Sequence, residues 1–133
     1  MRQFLIALLF LVGPALPVMA QTAEIEGTIS SQIEAFKADD FGRAFTFASP
    51  TIQGMFQTPE NFGSMVRGGY PMVWRPAEVR YLDLSERGGR LYQTVQITDG
   101  DGRTHLLEYE MIELDTGWKI NGVRLLEPPG VNA

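Results

Sequence analysis

Residues 88–126 read GGRLYQTVQITDGDGRTHLLEYEMIELDTGWKINGVRLL, and the punctuation of this stretch decides the fold. Gly88-Gly89 suits a tight hairpin turn. Asp99 to Gly102 (DGDG) is a second turn and Thr116-Gly117 a third. Between them lie three runs of strand character, Leu91–Thr98, Thr104–Leu114 and Trp118–Leu126. Upstream, Val79–Ser85 alternates in part and supplies a first strand. Strands joined by turns this short must run antiparallel, so the second half predicts a four-stranded meander.

Within it, HLLEYE (His105–Glu110) holds the chain's single histidine. Side chains alternate across a strand. His105, Leu107, Tyr109 and Met111 therefore share one face, mainly apolar with two polar tips, as a face beneath helices should be. Leu106, Glu108, Glu110 and Ile112 share the other, predicted to meet solvent. At about 3.3 Å per residue, His105 and Tyr109 are separated by roughly 13 Å along the strand. A catalytic base needs contact near 3 Å, so this stretch is not a self-contained active site, and any partner of His105 must come from elsewhere in the fold.

The first half has helical periodicity. Over Ala23–Ala38, Ile25, Ile29, Ile33 and Phe36 fall on one helix face, with Glu26, Ser30, Glu34 and Lys37 off it. Asp39-Asp40 ends that helix and offers a cap for the next, whose apolar side is Phe41, Ala44, Phe45 and Ala48. Ser49-Pro50 reads as cap plus first-turn proline for a piece through Phe56. Thr58-Pro59-Glu60 repeats the device for a helix burying Phe62, Met65 and Val66, which Gly68-Gly69 terminates. Tyr70–Trp74 (YPMVW), short, aromatic and bounded by proline, is predicted as an edge strand or extended link. The fold class is thus α+β: N-terminal helices packed on a curved, cone-like antiparallel four-stranded meander.

Residues 1–20, MRQFLIALLFLVGPALPVMA, have the pattern of a signal peptide. Arg2 is the positive n-region, Phe4–Val12 the apolar run, and Val18-Met19-Ala20 the small-residue cleavage site. A spanning helix needs about 20 uninterrupted apolar residues, and Gly13, Pro14 and Pro17 interrupt this one. The expectation is a periplasmic or secreted protein, cleaved near Ala20 and without stable membrane insertion afterwards. It would have one domain over 21–126 and a loose tail at 127–133. With Arg2 gone, ten basic residues face 16 acidic ones. That balance, with no long basic run, argues against nucleic acid as a partner. The chain has no cysteine, which excludes disulfides, thiolate metal sites and a cysteine nucleophile.

Candidates for chemistry are few. One histidine, no cysteine and no helical Glu-x-x-His pair make a metal site a poor expectation. DGDG lacks the third aspartate and closing glutamate of a calcium loop and reads as a polar turn. Asp39-Asp40 could serve as paired carboxylates, but adjacent residues at a helix junction point apart, and capping explains at least one of them. Gly68-Gly69 has no lysine and no following helix, so it is no phosphate loop. No cofactor is expected. The amphipathic side chains Tyr70, Trp74, Tyr92, His105, Tyr109 and Trp118 are the candidates for a pocket wall, because a ring with one polar end suits the place where apolar wall meets water.

The order of helices followed by a meander resembles the nuclear transport factor 2-like superfamily, the cystatin-like cone fold. GWKINGVRLL (Gly117–Leu126) resembles the usual ending of such chains. Within that superfamily, QIEAFKADDFGRAFTFASPTIQGMF, TPENFGSMVRGGYPMVWRP and HLLEYEMIELDTGWKINGV resemble the exported bacterial family catalogued as domain of unknown function 4864. The resemblance implies the fold and an exported location. Enzymes of the superfamily set a base against a hydrogen-bond donor across the cone. Asp39, Asp40, Tyr70, His105 and Tyr109 are of suitable type, but none stands in a motif of those enzymes, so no catalytic role carries over.

Three readings remain open at this stage. The first is a non-catalytic domain binding a small apolar or amphipathic ligand between helices and sheet. The second is an isomerase- or lyase-like enzyme with a carboxyl raised by burial. The third is a homodimer or interaction module using Leu106, Ile112 and Leu114 on the outer sheet face. Eight phenylalanines and six methionines are enough to fill a small cone outright.

Overall fold

A computed structural model of the chain describes residues 18–126. The expected signal peptide, but for its last three residues, and the expected loose tail at 127–133 lie outside this range. Helix α1 (Val18–Lys37) is followed by α2 (Phe41–Thr46), α3 (Pro50–Phe56), α4 (Pro59–Gly69) and one helical turn, α5 (Pro71–Trp74). The strands are β1 (Glu78–Arg87), β2 (Arg90–Thr98), β3 (Thr104–Leu114) and β4 (Gly117–Leu126). They form one open antiparallel sheet in the order β1-β2-β3-β4. The α+β class and the meander are as the sequence predicts.

The starts of α2, α3 and α4 are each fixed by a polar side chain at the expected place. Asp40 Oδ1 accepts from the Arg43 amide at 3.0 Å, Ser49 Oγ from Ile52 at 3.2 Å, and Thr58 Oγ1 from Asn61 at 3.1 Å. These bonds satisfy amides that have no partner inside the helix. The isoleucine face of α1 is buried, with Ile25, Ile29, Ile33 and Phe36 no more than 3% exposed. Phe62 on α4 is the hub of an aromatic cluster, its ring centroid 5.7 Å from Phe36, 5.4 Å from Phe45 and 5.7 Å from Phe56.

YPMVW is not an edge strand. Pro71 opens the helical turn α5, and the Tyr70 amide bonds back to Val66 O at 2.8 Å to close α4. A proline with φ preset near −65° begins a helix as readily as it bounds a strand, and four residues carry no period that separates the two.

The inner sheet face follows the alternation. Leu107, Tyr109 and Met111 on β3 and Val95 and Ile97 on β2 are buried against the helices. Two irregularities break the ladders. The β1–β2 register shifts between Tyr81 and Leu84, and the β3–β4 register shifts between Glu110 and Met111, opposite Asn121. The helical layer is stitched to β4 there. Ile120 N donates to Phe47 O (2.9 Å), Ser49 N to Ile120 O (2.8 Å), and Ser49 Oγ to Asn121 Oδ1 (2.7 Å).

Candidate functional site

A cavity of about 250 Å³ lies between the helices and β3–β4. Gln32 and Phe36 of α1 wall it on one side and Ile52, Met55 and Phe56 of α3 on another. Phe62, Met65 and Val66 of α4, with Tyr70 and Val73, form a third. The sheet contributes Tyr109, Ile120, Gly122 and Val123. Phe36, Phe56, Phe62, Met55 and Met65 therefore line the space and do not fill it. No side chain around it carries a charge, and Met55 at its rim is 66% exposed.

Of the six aromatic and histidine candidates, the structure brings Tyr70 and Tyr109 together at this cavity and places the other four elsewhere. Tyr70 Oη donates to Val123 O at 3.2 Å. Tyr109 is fully buried, and its hydroxyl has no hydrogen-bond partner among the described residues. Burial holds the Tyr109 phenol far above the usual phenol range, so it remains protonated. Trp74 Nε1 donates to Asp39 Oδ1 at 2.9 Å, and its ring stacks under the Arg75 guanidinium, 4.2 Å away. Trp118 Nε1 donates to Glu24 Oε1 at 3.1 Å beside a separate groove. Tyr92 lies on the outer face beneath Arg87, 4.0 Å from it.

His105 finds its partner in the neighbouring turn. Its Nε2 is 2.8 Å from Asp99 Oδ2, while Asp99 Oδ1 accepts from the amides of Asp101 (2.9 Å) and Arg103 (3.0 Å). The bond from His105, then those from the backbone, hold the Asp99 carboxyl below its ordinary value. DGDG is thus a turn organised by one aspartate, with Gly102 at φ 85° supplying the left-handed residue. Asp39 and Asp40 do not form a carboxylate pair. Asp40 caps α2, and Asp39 is held by Trp74 and by Arg75 at 3.0 Å, bonds that lower its carboxyl in that order.

The outer face differs from its expected solvation. Glu108 points outward as predicted but is only 7% exposed. Arg87 covers it from β1 (2.8 Å) and Arg124 from β4 (2.9 Å). Burial pulls the Glu108 carboxyl up, and the bonds from Arg87 and Arg124 outweigh this, leaving it below its ordinary 4.5. Glu110 accepts from Asn121 Nδ2 at 2.7 Å and is paired with Arg90. The Asn121 bond is the main cause of its lowered carboxyl. Sequence alternation supplied the direction of these glutamates; the arginines that cover Glu108 arrive from two other strands.

The chain belongs to the family described as Domain of unknown function (DUF4864), whose model matches residues 18–133. No curated protein matches it. Among the described residues, no group of three or more metal-ligating side chains comes together, and no helix is long and apolar enough to cross a membrane.

Proposed function

We propose that this chain is an exported, non-catalytic domain of nuclear transport factor 2-like type that holds a small apolar or amphipathic molecule in the cavity beneath α3 and α4. The observation that carries this reading is the wall itself: an open space of about 250 Å³ bounded by aromatic and aliphatic side chains and one glutamine, without one charge. An apolar cavity of about 150 Å³ takes up benzene, so this one suits a ligand of one or two rings or a short chain. Proton-transfer chemistry would need a tuned acid or base within contact of the substrate. The cavity wall offers no carboxylate and no histidine, while Asp39, Asp40 and His105 are engaged outside it. Self-association through the outer face has Leu106, Ile112 and Leu114 in its favour, all three partly exposed in the single chain. Sedimentation of an Ile112→Glu variant against the unaltered protein tests it, and a strictly monomeric unaltered protein rejects it.

Native mass spectrometry on protein isolated gently from the cell envelope tests the main reading. The expected spectrum begins at Gln21 and carries an added mass that is lost on denaturation. Ile52→Trp, which puts bulk at a partly buried wall position, should remove that mass. The reading fails if the isolated protein is bare and millimolar indane leaves its Met55 and Met65 methyl resonances unmoved.

A further inference from the structure

Among the described residues, two buried side-chain polar atoms lack a hydrogen-bond partner, Gln93 Oε1 and Tyr109 Oη. They belong to residues that face each other across β2 and β3. Gln93 has an evident structural task. Its amide nitrogen donates to Leu82 O and Thr94 O, both at 3.0 Å, and so clamps β1 where its register shifts. Tyr109 has none of this kind. The neighbouring tyrosine hydroxyls are committed: Tyr70 to Val123 O, and Tyr81 to Ser30 Oγ at 2.5 Å and Glu26 O at 3.3 Å. A buried hydroxyl without a partner is costly and rare enough to require a reason.

We propose that the cavity's ligand is a small neutral carbonyl compound whose oxygen accepts a hydrogen bond from Tyr109 Oη. This rests on the cavity-binding reading above and narrows it. Neutrality follows from the wall, because a carboxylate or ammonium placed there would lose its hydration and meet no opposite charge. An acceptor follows from the phenol, which burial keeps protonated and able to donate. Nearby, the Gln32 amide nitrogen is already given to Ala44 O at 3.1 Å and the Tyr70 hydroxyl to Val123 O. Tyr109 lines the cavity but is 0% exposed, so the ligand's apolar body must part the wall before its oxygen arrives.

The test is a cycle of two proteins and two probes, 1-indanone and indane, read from Met55 and Met65 methyl shifts and by calorimetry. Tyr109→Phe should weaken 1-indanone about tenfold and leave indane unchanged. Tyr70→Phe, whose hydroxyl is already satisfied, should not discriminate between the probes. The infrared carbonyl stretch of 1-indanone bound to the unaltered protein should fall below its value in hexane, a reading that needs no variant. If both probes bind but Tyr109→Phe treats them alike, or the stretch stays at the hexane value, the carbonyl inference is wrong and the cavity reading stands. If neither probe binds, both fall.

Discussion

Gly63→Ala is expected to destabilise the protein although it adds a better helix former to the interior of α4. A β-carbon at this position would lie 2.7 Å from Phe41 Cγ and Cδ1 and 3.1 Å from Cε1. Cγ is the fixed end of that ring, so rotation alone cannot clear it. Retreat is further obstructed by Phe36, 6.2 Å away, and by the Arg67 guanidinium over the ring at 5.1 Å. Overpacking of this kind costs about 1–3 kcal/mol, and replacing an interior helical glycine returns about 0.5–1 kcal/mol. The net expectation is a loss of about 1 kcal/mol. In a Phe41→Ala background the obstruction is gone, and the same substitution should raise stability by about 0.5–1 kcal/mol. Urea unfolding midpoints of the four proteins, compared at equal m-value, measure the reversal. Equal increments in both backgrounds would refute the argument that Gly63 exists to admit Phe41.

Ser49→Ala removes the cap of α3 and the bond to Asn121, and should cost about 1–2 kcal/mol in urea unfolding. Combined with Asn121→Ala it should show less than the sum of the two losses, because both changes break the same link. Glu108→Gln should cost about 1–2 kcal/mol at neutral pH, a modest value because Arg87 and Arg124 are themselves more than half exposed. Glu108 has a depressed carboxyl when folded, so its contribution is complete above the ordinary value of 4.5 and is lost as pH falls through the lower folded value. The gap between variant and unaltered protein should accordingly close on acidification; a gap that widens would reverse the assignment. Asp99→Ala should speed amide exchange at Asp101 and Arg103 while leaving β1 and β2 protected, since those two amides lose their acceptor.

Local signals made most of the fold legible. Asp40, Ser49 and Thr58 each marked a helix start because capping is a contact over three residues, visible in sequence. Leu107, Tyr109 and Met111 were assignable to one face because strand alternation is equally local. What escaped was non-local. Burial of Glu108 depends on arginines 21 residues before and 16 after it, and the shift opposite Asn121 depends on how β4 meets Ser49. The cavity was hidden for a related reason. Phe36, Ile52 and Phe62 obey the same amphipathic pattern whether they pack against each other or border a space, so periodicity marks them as apolar without saying which. Tyr109 left a trace all the same, as one of two polar tips on a mainly apolar face.

The link between the helices and β4 also bears on how the molecule behaves in a crowded compartment. An open sheet of four strands has two edges whose backbone groups are templates for another chain. On β4, Ile120 gives its amide to Phe47 and its carbonyl to Ser49, so the middle of that edge is already occupied. On β1 the edge is spoiled by charge and by geometry: Glu78, Arg80, Asp83, Glu86 and Arg87 stud it, and the break between Tyr81 and Leu84 interrupts its regular spacing. Fibril growth by strand addition therefore meets an obstacle on either side, and cutting the β4 link should unmask an aggregation-prone ribbon before it unfolds the domain.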